Sequence, residues 1–173
     1  MVSTLGNAVL FNISWLAIVY THSAMWAPVL LAAHLAIHFG LMGKGLPEAR
    51  LILGIALFGI LLDQLLFALG VFTVGGVSAP APLWISCLWP VLGTTLMHAF
   101  SNLQQRLLLA TICGAVGGAV SYTSGTALTD VQFGSVFWGP LIMAMLWAFL
   151  FPTFLVIART IGTKGEGAQH VAS

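Results

Sequence analysis

From Gly134 to Ile161 the chain is almost purely apolar, and the only charged residue in that run, Arg159, stands near its end. A helix needs about 20 apolar residues to cross the hydrocarbon core of a bilayer, so this run suits lipid better than the interior of a soluble domain. It is one of six. Runs bounded by Gly, Pro or charge also cover Leu5 to Ser23, Met25 to Gly43, Ala49 to Val74, Ala81 to Ser101 and Gln105 to Thr123. Together they predict an all-α, polytopic membrane bundle of six transmembrane helices filling residues 1–162 as a single domain. The Gly-rich polar segment 163–173 is expected to be a disordered cytoplasmic tail.

Composition agrees. Hydrophobic residues make up 60% and charged residues 5% of the chain, against about 25% charged in soluble domains. The net charge of +1 and the scattered basic residues give no field that would gather nucleic acid. No phosphate-binding loop, dinucleotide-binding glycine pattern, nucleophile elbow or HExxH is present. The first apolar run lacks the basic segment of a secretory signal and reads as the first span. Cys87 and Cys113 fall inside spans, where a thiol behaves as a small hydrophobe.

Basic residues set the expected orientation. Lys44 and Arg50 lie between spans two and three, Arg106 between four and five, and Arg159 and Lys164 at the end of six. All fall on one side, which the positive-inside rule makes cytoplasmic, along with both termini.

Asp63 is the one carboxylate inside a predicted span. Placing it there costs about 2.5–3.5 kcal/mol, so it must face protein, water or a partner. It serves either as hydrogen-bonded glue between helices or as a proton carrier, general base or cation ligand. Gln64 follows it but points about 100° away.

His34 and His38 are four apart and stack on one helical face, a spacing found in metal sites. With His98 they form the minority reading of a metal cluster. Ordinary hydrogen-bonded histidines are the default, and no cofactor is expected. Span four ends in Thr94, Thr95, His98, Ser101 and Asn102, and Pro90 one turn earlier invites a kink that opens a polar pocket. Asn12 lies at a depth where it could join that pocket. Tyr122 sits near the far end of span five as an interfacial anchor or, as a minority reading, a catalytic group. Trp26, Trp84 and Trp138 fall where an aromatic belt would lie. Ala110, Gly114, Gly118, Ser121 and Gly125 make a smooth face for helix packing within the chain, or for a homodimer through Gly114 and Gly118.

NAVLFNISW, GILLDQLLFALGV, APLWISCLWPVLGTTLMHAF and GAVGGAVSYTSGTAL, in that order, resemble an uncharacterised bacterial inner-membrane family, a domain of unknown function. Its genes often stand beside those for cyclopropane-fatty-acid-synthase-like proteins. The resemblance implies a bacterial inner-membrane location and a role near lipid modification or envelope stress, without a defined reaction. The positions matching its motifs are Trp15, Asp63, Trp84, Trp89, Thr95, His98 and Tyr122.

The leading expectation is a binding or accessory protein for membrane lipids or a membrane-enzyme partner. The alternative is a small enzyme acting on acyl lipids, with Asp63 and His98 as acid and base and Thr95 and Tyr122 as polar supports. A small-solute or proton-coupled transporter stands third.

Overall fold

A computed structural model describes residues 2–171, with side chains over 4–163. In chain order the elements are α1 (Val2–Thr21), α2 (Trp26–Leu41), α3 (Leu46–Ala68), β1 (Phe72–Val74), α4 (Leu83–Ser86), α5 (Leu88–Gly93), α6 (Leu107–Leu128), β2 (Val131–Phe133) and α7 (Trp138–Val171). A 3-10 turn, Ser101–Leu103, precedes α6. The side chains of all but the first residue of the expected 163–173 tail lie outside the described residues.

The fold is overwhelmingly helical. Four helices, α1, α3, α6 and α7, are long and apolar enough to cross a membrane, fewer than the six expected. The difference has two sources. One is α2, which is apolar but only 16 residues long. The other is the expected fourth span, which breaks into α4, α5 and a run of turns through Phe100.

Local chemistry explains the break. Thr94 Oγ1 donates to Val91 O (2.7 Å) and Thr95 Oγ1 to Leu92 O (2.6 Å), so hydroxyls compete with the helical ladder for its carbonyls. The backbone tightens into i→i−3 bonds such as Thr95 N to Leu92 O (2.9 Å) and His98 N to Thr95 O (3.1 Å). Irregular backbone at membrane depth survives only where protein satisfies it. Here Asn7 Nδ2 takes Thr94 O (3.1 Å), Gln104 Nε2 takes Leu96 O (2.9 Å) and Lys44 Nζ takes Met97 O (3.0 Å). The broken segment is buried, with Val91, Thr94, Thr95 and Leu96 fully enclosed.

A small antiparallel ribbon closes the opposite end, where loops were expected. Phe72 pairs with Phe133 and Val74 with Val131, joining the end of α3 to the end of α6. Gly134 lies so close to Gly70 O that a Cβ there would collide with it. The smooth face of α6 is used inside the chain: Gly114 and Gly118 lie against Trp147 and Phe151 of α7. Trp26 and Trp138 are exposed as a belt requires, but Trp84 turns inward and is buried.

Candidate functional site

Two polar features sit at different depths. The first lies at the Lys44 end. Gly45, in a left-handed conformation (φ 80°), turns the chain, and Pro47 opens α3 in a first-turn position where no amide hydrogen is needed. Glu48 therefore enters the helix and is wholly buried, so Asp63 is not the only carboxylate inside a span. The helix begins at Leu46, three residues before the apolar run that starts at Ala49, and this brings Glu48 inside it.

Glu48 is held by three donors. Its Oε1 accepts from His38 Nε2 (3.1 Å) and His98 Nε2 (2.8 Å), and its Oε2 from Lys44 N (2.6 Å). Asn7, also missed, organises the other side of His38. Its Oδ1 accepts from Ala99 N (3.3 Å), which directs Nδ2 to Thr94 O (3.1 Å) and His38 Nδ1 (3.3 Å). Asn12, expected there, is exposed and caps its own Ala8 O (2.8 Å).

The network assigns tautomers. His38 Nδ1 accepts from Asn7, so its proton resides on Nε2 and goes to Glu48. Thr94 spends its hydroxyl hydrogen on Val91 O, so it accepts from His34 Nε2 (3.0 Å), and His34 Nδ1 takes the Ser14 hydroxyl (2.8 Å). His34, which the minority reading grouped with His38 and His98, thus hydrogen-bonds through a separate branch.

His38, Glu48 and His98 offer ligand atoms within 4.8 Å of one another, close enough to hold a metal ion. Their surroundings do not suit one. A ligating Nε2 must be unprotonated, leaving Nδ1–H to seek an acceptor. His38 Nδ1 faces the amide nitrogen of Asn7, a donor, and two backbone groups prevent Asn7 from turning over. The cluster is a hydrogen-bonded clamp joining α1, α2, α3 and the broken segment.

The second feature surrounds Asp63. Counting about 1.5 Å per residue, Asp63 is roughly 22 Å along α3 from Glu48. Its Oδ2 accepts from Trp89 Nε1 (2.7 Å). A cavity of about 110 Å³ opens beside it, bounded by Trp15, Trp84, Trp89, Tyr122 and Trp147, with Phe67 and Phe72 behind. A groove of about 460 Å³ adjoins it, sharing Phe11, Trp15, Leu92, Ser121, Tyr122 and Trp147. The groove runs between α1 and α6, and Gly117 and Val120 on its rim are exposed on the outer face of the bundle.

Two polar atoms on facing walls of the cavity bear most on what it can hold. Among the described residues, Trp147 Nε1 is buried with no acceptor at full hydrogen-bond distance, and Asp63 Oδ1 receives no donor besides the Trp89 bond made by its neighbour Oδ2. Gln64, as its spacing predicts, faces elsewhere and pins Ala81 through both backbone groups, at 3.2 and 3.3 Å.

Of the residues singled out from sequence, the cavity brings together Asp63, Tyr122, Trp15, Trp84 and Trp89. His98 belongs to the Glu48 clamp, and Thr95 spends its hydroxyl on Leu92 O. Asp63 and His98 share no hydrogen-bonding partner among the described residues.

A family model described as "Protein of unknown function (DUF2878)" matches residues 4–153. No curated protein and no solved structure matches the chain.

Proposed function

The chain belongs to this family of unknown function, and from its own geometry we propose that it is a membrane-embedded binding protein holding a lipid-like amphiphile in the cavity beside Asp63. The observation that carries the reading is the continuity of an aromatic cavity with a groove reaching the outer face of the bundle between α1 and α6. A ligand dissolved in the bilayer enters such a site sideways, its chain in the groove and its head at the cavity. A mainly apolar pocket with a few convergent polar groups is the usual form of a small-molecule site. An unpartnered buried polar atom costs about 1–3 kcal/mol, which a ligand that supplies the missing partner recovers.

The proposal places the protein in a bacterial inner membrane with both termini cytoplasmic, serving as an accessory to acyl-lipid modification. Support for the orientation is the one-sided distribution of Lys44, Arg50, Arg106 and Arg159. Support for the lipid setting is the family resemblance together with the lateral groove.

The test is native mass spectrometry of the protein extracted gently from its own membrane. Wild type should retain an amphiphile adduct, and Gly125→Phe should lose it. Gly125 lines the cavity and nothing lies within 4 Å of where its Cβ would stand, so a side chain there starts into open space. Equal adducts in the two proteins would refute the assignment.

A further inference from the structure

Resting on that binding reading, we infer that the head group taken by the cavity is an organic ammonium with an oxygen atom close beside it. Asp63 supplies the first part. It is the only charged residue lining the cavity; no Lys, Arg or His is among the residues that surround it. Trp89 fixes Oδ2 at 2.7 Å and leaves Oδ1 without a donor among the described residues. A carboxylate enclosed without a countercharge favours a ligand that brings one.

The walls fit the same charge. Trp15, Trp84, Trp89, Tyr122 and Trp147 line the cavity, and indole and phenol faces attract ammonium groups through their ring quadrupoles, most strongly where water is excluded. The Trp89 and Trp147 rings are stacked at 5.6 Å with planes 12° apart, which holds both side chains in place at the cavity. An anionic head would meet the Asp63 charge with no cation to offset it.

The oxygen comes from Trp147. Its Nε1 is a buried donor with no acceptor at full hydrogen-bond distance among the described residues; the Tyr122 hydroxyl faces it from farther off, and an ammonium offers it no acceptor. A hydroxyl, ether or ester oxygen one or two bonds from the nitrogen would satisfy it while the nitrogen faces Asp63. The chemistry is that of an amino alcohol or its ester, joined to a chain lying in the groove.

The experiment uses the full chain in zwitterionic nanodiscs and three probes of equal length: 1-amino-2-decanol, decylamine and 1-decanol. Tryptophan fluorescence reads binding, corrected for partition into empty nanodiscs. The wild type should bind decylamine at least tenfold more tightly than decanol, and the amino alcohol more tightly again. Asp63→Asn should bring amine and alcohol to within about twofold, and Trp147→Phe should erase the gain of the amino alcohol over the amine. Equal affinity of wild type for amine and decanol overturns the cation inference while leaving the binding reading standing. If none of the three binds, the binding reading itself fails. The wild-type ratio needs no variant, so the inference stays exposed even if a substituted protein does not fold.

Discussion

Trp89 donates its indole hydrogen to Asp63 Oδ2 at 2.7 Å, and the same ring stacks on Trp147 at 5.6 Å. One side chain of the broken segment thus fixes a carboxylate on α3 and builds a wall with α7. The carboxylate is pre-positioned before any ligand arrives, and only one of its oxygens is committed. Pre-positioning of this kind lowers the ordering cost of binding.

Gly59 makes that arrangement possible. A Cβ at this position would collide with the Trp89 indole. Gly59→Ala should cost about 1–3 kcal/mol through overpacking and weaken amine binding together with stability. Unfolding in mild detergent, followed by circular dichroism, gives the first quantity, and unchanged stability would contradict the packing described.

Asp63 and Trp89 should be energetically coupled. In a double-mutant cycle with Asp63→Asn and Trp89→Phe, the coupling should be about 1.5–3 kcal/mol, the range for a hydrogen bond to a charged group. Additive effects would show that the two side chains act independently.

Among the described residues, Glu48 is the acid that accepts the most hydrogen bonds. Glu48→Gln leaves one oxygen for the two imidazole N–H groups on Oε1 and sets an amide NH2 against the Lys44 backbone N–H, or the reverse, so a buried donor loses its acceptor and stability should fall by about 1–3 kcal/mol. Asp130→Asn, at an exposed site, should change it by less than about 0.5 kcal/mol. Equal effects in the same unfolding assay would remove the clamp from the account.

The tautomers predict that the clamp is metal-free. Protein purified without chelator should carry no stoichiometric zinc or iron, and the nitrogen resonances of His34, His38 and His98 should show protonated Nε2. One metal per chain would mean that Asn7 does not hold His38 as described.

The four long helices were legible because hydropathy over about 20 residues is a strong signal and needs no tertiary information. Burial of Asp63 was legible for the same reason. The break after Gly93 was not, since apolar content marks depth and not backbone form. Its signals were Thr94 and Thr95 in succession, whose hydroxyls serve the preceding turn. Glu48 was lost to a boundary drawn three residues late, although Leu46-Pro47-Glu48 carries a helix-start pattern of Pro in the first turn with an acid beside it. Asn7 was passed over for Asn12, yet Asn7 and Ser14 are seven apart and share a face, as both being buried shows. The joining of Asp63, Tyr122 and Trp147 depends on how α3, α6 and α7 pack, which spacing along one chain does not encode.

If the aromatic cavity beside Asp63 is a ligand site, equilibrium binding of 1-amino-2-decanol to wild type and Gly125→Phe in nanodiscs separates the two proteins. Binding should saturate at one ligand per wild-type chain and be at least tenfold weaker in the variant. Equal affinity in the two proteins would contradict a ligand site there.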